Sequence, residues 1–179
     1  MGTTTTLVTV PEFMQMPEPE GERLELIGGE VISMSFGHIP HEVVKKNITK
    51  ILVLWLAQNS PAELFAESMY HVDEHNALMP DLSVLFPGRI GPGSKGWIQG
   101  APEIAIEVVS SEPAARLQRK IRLYLAHGGK SVWTIYPQER MVRIEDIAGG
   151  SRLFLDDQPL TDPVLPGFSI PTSAIFEGV

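Results

Sequence analysis

Polar and apolar residues alternate from Arg23 to Ile27 and again from Glu30 to Met34, on either side of Gly28–Gly29. Alternation of period two puts every second side chain on one strand face, and paired glycines suit a tight turn, so the segment predicts a β-hairpin. The pattern changes at His41–Gln58, where Ile48, Ile51, Leu52 and Trp55 follow Val44 at offsets of 4, 7, 8 and 11. That spacing makes one helical face apolar, with Lys45, Lys46 and Lys50 mostly elsewhere. Short strands are expected at Ala62–Ala66, Met69–Val72 and Pro80–Phe86, the last ended by Pro87–Gly88, and Gly88–Gly100 reads as an irregular loop. Glu103–Val109 is an apolar, β-branched run suited to a central strand covered on both faces. A helix from Ala114 to His127 follows, closed by Gly128–Gly129. Ser131–Ile135 and Met141–Glu145 predict a second hairpin, and Leu165–Pro171 an edge segment packed back on the core. Residues 1–22 are polar and dotted with prolines, a loosely held arm with a short helix near Pro11–Met16. Residues 23–179 read as one α/β domain, without internal repeats.

Composition narrows the classes. Hydrophobic residues make up 43% and charged residues 20%, the range of ordinary globular proteins. There is no cysteine, which excludes disulfides, zinc–thiolate sites and thiol catalysis. Met1–Pro11 lacks the basic-then-apolar signature of a signal peptide, and Ile51–Ala57 is too short to span a bilayer, so a cytoplasmic protein is expected, without membrane contact. The net charge of −8 opposes a nucleic-acid partner, whose phosphates call for a basic surface. Local basic patches remain available, notably Lys45–Lys46–Lys50 and Arg116–Arg119–Lys120–Arg122.

Candidate chemistry centres on carboxylates. Glu107 lies inside Ile104–Val109, where an unpartnered carboxylate is expensive or protonated. Alternation places Glu103, Ala105, Glu107 and Val109 on one face of the strand and Ile104, Ile106 and Val108 on the other. Asp81 opens the preceding strand directly after Pro80. If the two strands are neighbours, Asp81 and Glu107 converge on one point and suit a hard divalent cation. Lys120 flanks the inward stripe Leu117, Ile121, Tyr124, Leu125 of the following helix and can reach toward them. Bland readings stand beside these. Asp81 can simply end a strand, Glu107 can be an ion-pair partner of Lys120 or an arginine, and Lys120 can be a solvated helix-edge residue. Glu25 and Glu30 flank the glycine turn and are possible additions to the site, although exposed hairpin glutamates are commoner. His41 is a possible base or DNA contact, with a partly exposed helix-start histidine the commoner case. His71 and His75 bracket Asp73–Glu74 without matching spacing elsewhere, which reads as coincidence. Trp55 and Trp133 read as core.

Several segments, in order, resemble the Uma-type putative restriction endonucleases of the PD-(D/E)xK nuclease-like superfamily. They are Arg23–Glu30, Pro80–Asp81, Ala101–Ser110, Arg119–Tyr124 and Leu165–Phe168. The resemblance implies a restriction-endonuclease-like core, with a central mixed sheet flanked by helices. It also implies that Asp81 and Glu107 bind Mg²⁺ or Mn²⁺, with the Val108 carbonyl as a further ligand, and that Lys120 is the catalytic lysine. In the wider superfamily that lysine follows the glutamate by two residues, where this chain has Val109. Ser110–Ser111–Glu112 replaces a Ser-Pro-Ser found in many relatives, and Tyr136 stands where many have aspartate.

The leading expectation is therefore a divalent-metal-dependent endonuclease that hydrolyses DNA phosphodiester bonds. The alternative is a non-catalytic binding or scaffold protein on the same fold, a homodimer being one form of it. An enzyme for a small phosphorylated substrate is a third. The net charge favours the last two and the triad Asp81, Glu107, Lys120 the first.

Overall fold

A computed structural model describes residues 7–17, 19–34, 37–90 and 96–179. The first elements are α1 (Val10–Phe13), β1 (Arg23–Ile27), β2 (Glu30–Met34), α2 (Ile39–Asn59), β3 (Glu63–Ala66), β4 (Tyr70–Asp73), β5 (Asn76–Leu78) and β6 (Leu82–Leu85). They are followed by β7 (Ile98–Gln99), β8 (Ile104–Val108), α3 (Ala114–Ala126), β9 (Ser131–Tyr136), β10 (Met141–Asp146) and β11 (Ser151–Leu155). The short pair β12 (Pro159–Leu160) and β13 (Ile170–Pro171) and a 3₁₀ turn at Thr172–Phe176 close the chain.

The alternation in β8 decides the architecture. This strand is buried at every position and sits within a six-stranded mixed sheet of order β11-β10-β9-β8-β6-β3. Its pairing with β9 is parallel and that with β6 antiparallel. Ile104, Ile106 and Val108 pack with Val44, Ile48 and Leu52 of α2. Ala105, one step out of phase, packs with Leu117, Ile121 and Tyr124 of α3. The expected central mixed sheet with helices on both faces is therefore present. A second sheet, β2-β1-β5-β4-β7, lies on the α3 side and contributes Ile27, Tyr70 and Leu78 to the same cluster. Its β1–β2 edge is the expected hairpin, turned at Gly28 and Gly29 with φ of 61° and 77°, both in the left-handed region that a two-residue hairpin turn of this kind needs.

Some expectations need correction. The N-terminal arm is not loosely held from residue 8 onward: Val8 and Val10 donate backbone hydrogen bonds to Gly29 and Glu74, and Val10 and Phe13 are buried with Leu26 and Ala77. Apolar residues three apart on one short helical turn account for this docking. The start of that arm, residues 1–6, and part of the loop read at Gly88–Gly100, residues 91–95, lie outside the described residues, so the leader reading of Met1–Pro11 is only partly covered. The end of that loop carries β7, which joins β4 in parallel. Leu165–Pro171 packs back as expected, with Phe168 against the rings of Trp55 and Trp133 at 5.4 and 5.6 Å.

Candidate active site

Glu107 and Lys120 meet because β8 and α3 run side by side. Glu107 shares its face with Ala105, which packs on Tyr124, and a lysine one helical turn before Tyr124 comes to the same place. Lys120 Nζ lies 2.8 Å from Glu107 Oε1, and the Tyr124 hydroxyl donates to the same oxygen at 2.7 Å. The hairpin adds a second carboxylate: Glu25 Oε1 is 3.1 Å from Lys120 Nζ and accepts the backbone N–H of Met79 at 2.7 Å. These groups are deeply buried, with Lys120 1%, Glu25 0% and Glu107 4% exposed. Lys120 is thus no solvated helix-edge residue, and Glu25 is no exposed hairpin glutamate. Glu25 Oε2 has no hydrogen-bond partner among the described residues.

Asp81 approaches from the neighbouring strand. The β6–β8 register pairs Leu82 with Ile106, so one further step sets Asp81 opposite Glu107. Asp81 Oδ2 accepts the backbone N–H of Val108 at 2.8 Å, and Oδ1 lies 3.1 Å from Nε2 of His41 at the start of α2. His41 Nδ1 lies 3.1 Å from Glu42 Oε1. His41 is therefore buried between two carboxylates, where a partly exposed helix-start residue was the commoner expectation. An amide and a carbonyl of one strand residue point to the same side, so the Val108 carbonyl also faces the edge that β6 vacates at Asp81.

His41, Asp81, Glu107, Val108 and Lys120 line one cavity of about 150 Å³, with Arg23, Ser111, Glu112 and Arg116 around them. Burial pushes the Glu107 carboxyl up to about 8; Lys120 opposes this, while Glu25, Asp81 and Glu112 add to it. Burial also raises Asp81, but His41, the Val108 N–H and Lys120 outweigh it and hold that carboxyl below its ordinary value. Burial would lower Lys120, yet Glu107, Glu25 and Glu112 keep its ammonium well above the ordinary value.

Among the described residues, no three His, Asp or Glu side chains gather closely enough to hold a metal ion alone. Two carboxylates and a strand carbonyl nevertheless suit a hard cation that keeps several waters, as Mg²⁺ does. Glu112 Oε2, which is buried, belongs to the cavity lining and has no hydrogen-bond partner among the described residues, fits a divalent cation as well. In that respect the residues present match the group.

The family model described as "Putative restriction endonuclease", Uma2, matches residues 10–173. The chain belongs to the Uma2 family. Among solved structures, it is similar to a "putative nuclease belonging to DUF820" from Anabaena variabilis, at 22% identity and a TM-score of 0.83 over 95% of this chain and 98% of that one. At such identity the likeness is one of fold. No curated protein matches.

Not every candidate joins the Uma2 cavity. Glu30 is exposed beside the glycine turn, opposite Ile27, and does not line it. The His71–His75 segment is built on local contacts: Asp73 accepts from the His75 N–H and the Asn76 amide and lies 3.3 Å from His127, while His75 Nδ1 meets the Val8 carbonyl. The basic patches are thinned by internal pairing. Lys120 is buried and Lys45 bridges Glu42 and Glu67, whereas Lys46, Lys50, Arg119 and Arg122 are exposed. Tyr124 was read only as part of an apolar stripe. Its place four residues after Lys120 was the available signal that the hydroxyl could share the lysine's target. No helix among the described residues is long and apolar enough to cross a membrane.

Proposed function

We propose that this Uma2 protein is a divalent-metal-dependent phosphodiesterase acting on DNA. The supporting observation is the convergence of Asp81 and Glu107 from adjacent strands on a cavity that also holds the buried ammonium of Lys120. Asp81, Glu107 and the Val108 carbonyl would hold Mg²⁺ or Mn²⁺. When bound, such an ion supplies Lewis acidity to a phosphoryl oxygen and acidifies a coordinated water.

The chain's own residues do the rest. His41 and the Val108 N–H fix the Asp81 carboxylate in its ionised form. Tyr124 and Lys120 both engage Oε1 of Glu107, which orients the carboxyl. Lys120 stays charged and offers electrostatic stabilisation to a phosphate that gains negative charge as water attacks in line. Its approach from α3 takes the place of a lysine at Val109.

The test is cleavage of plasmid and single-stranded DNA with Mg²⁺ or Mn²⁺ by the wild type, Asp81→Asn and Glu107→Gln. Losing a metal contribution of about 4 kcal/mol corresponds to roughly a 10³-fold lower rate. Either variant cutting at the wild-type rate overturns the assignment. The scaffold reading draws support from the net charge of −8 and the internally paired basic residues. It takes precedence if the wild type binds DNA and never cuts it.

A further inference from the structure

Next to the carboxylate cavity lies a second one, mostly apolar in its lining but with Glu22 and Arg23 among its residues, that the chemistry above leaves unused. Phe13, Met14, Met16, Met69 and Trp97 line it, and Arg23 and Met79 line both cavities, so the two adjoin through those side chains. Its volume is about 100 Å³. By such a measure a single water needs only about 10–15 Å³, so a ring-sized group is accommodated. The Phe13 and Trp97 rings pack at 5.5 Å and 56°, and Met14 is 50% exposed, so an aromatic wall faces a mouth of adaptable thioether.

Charge argues for what enters. With a net charge of −8 and with Lys45 and Lys120 paired to the chain's own carboxylates, the phosphates of a nucleic-acid strand meet a largely unfavourable field. Stacking on aromatic side chains is the other general source of affinity, and it tolerates any base. In a duplex the base faces are covered by their neighbours, so only an unpaired or extruded nucleotide can present one. A strand whose phosphate enters the carboxylate cavity brings its adjacent base toward Arg23 and Met79, the shared wall.

We propose that the groove formed by Phe13, Met14 and Trp97 seats an unpaired nucleobase next to the reacting phosphate, so that unpaired rather than duplex DNA is the preferred substrate. This rests on the nuclease reading for the occupant of the adjoining cavity, but its binding test requires no turnover.

The experiment measures, in EDTA, binding of the full chain to a labelled short oligothymidylate, an abasic strand of equal length and a blunt duplex. The oligothymidylate is expected to bind tightest, and Trp97→Ala to weaken it by about 5- to 150-fold, the range of one lost stacking contact. Trp97→Phe should retain most of the affinity. Met14→Glu, at an exposed position, should weaken binding without disturbing the core. Equal binding of the abasic strand, or full oligothymidylate affinity in both Trp97→Ala and Met14→Glu, overturns the inference. A wild-type dimer that Met14→Glu dissociates with unchanged oligothymidylate binding assigns the groove to a second copy and also overturns it. Cleavage assays with Mg²⁺ or Mn²⁺ separate the two proposals. Duplex cleavage indifferent to Trp97→Ala sinks the base site alone; Trp97-dependent binding with no cleavage sinks the nuclease reading and leaves the base site standing.

Discussion

Asp162, in the loop after β12, and Glu107, on β8, are both buried carboxylates, yet their surroundings differ in kind. Asp162 accepts from the Ser131 hydroxyl, from Trp133 Nε1 at 2.6 Å and from the Val164 N–H at 2.9 Å, all neutral donors. Both of its oxygens are answered, and it pins the Trp133 edge of the core to the chain's final segment. Glu107 instead shares one lysine with Glu25, meets Lys120 and Tyr124 at a single oxygen, and lines a cavity. A fully satisfied buried network makes a fold rigid, whereas a partly satisfied one holds capacity for a ligand or a proton. Burial alone therefore does not separate structural from functional acids; the count and charge of the donors does.

The sharpest way to break this contrast is Lys120→Met. Removing the ammonium that Glu25 and Glu107 both contact should destabilise the metal-free protein by about 3–5 kcal/mol, read as a lower denaturation midpoint in urea. A stability loss below about 1 kcal/mol would mean that Lys120 contributes no more to this cluster than an exposed ion pair does. Asp162→Asn comes next. It should cost about 1.5–3 kcal/mol, the range for hydrogen bonds to a charged group, while Mn²⁺ titrates into the variant as into the wild type. Altered metal affinity in Asp162→Asn would erase the distinction between the two acids.

How much of this was legible beforehand depends on how local each feature is. The two faces of β8 follow from alternation alone, and α3 from the spacing of Leu117, Ile121 and Tyr124, so the place of Glu107 against that helix was readable. The neighbouring position of Asp81 needed only the β6–β8 pairing. Lys120 was harder, because a helical wheel puts it at the edge of the stripe. Its burial comes from the second sheet, which brings Glu25 over the helix. Nothing in the period of a hairpin reveals what will later cover it. His41 was misjudged for the same reason, since its partner Asp81 is forty residues away in sequence. β5 was lost because three residues after a polar turn carry too little periodicity to register.

His41→Asn tests the Asp81 half of the site. The ring nitrogen facing Asp81 is lost while Val108 still donates to the other oxygen. Supporting contacts to a metal-binding carboxylate are typically worth 10–100-fold in affinity, and the lower end is expected here because one anchor remains. Calorimetric Mn²⁺ titration reads this directly, and unchanged affinity would remove His41 from the site.

The subtlest effect is a pH dependence, which belongs to Glu107. Burial raises the Glu107 carboxyl to about 8 in the folded protein, against an ordinary value of 4.5. Between those values the folded state holds more of a proton than the unfolded state, so stability must fall as pH rises through that window. The slope from one group cannot exceed about 1.4 kcal/mol per pH unit. Urea denaturation in EDTA across that range should show the decline in the wild type and a flatter profile in Glu107→Gln. Asp162→Asn should keep the wild-type slope on a lower baseline, because its lost contacts are indifferent to the Glu107 proton. Adding Mg²⁺ should flatten the wild-type curve as well, since a bound cation favours the ionised carboxylate. A wild-type profile already flat in EDTA would show that Lys120 fully compensates Glu107, leaving no capacity at that carboxylate to distinguish it from Asp162.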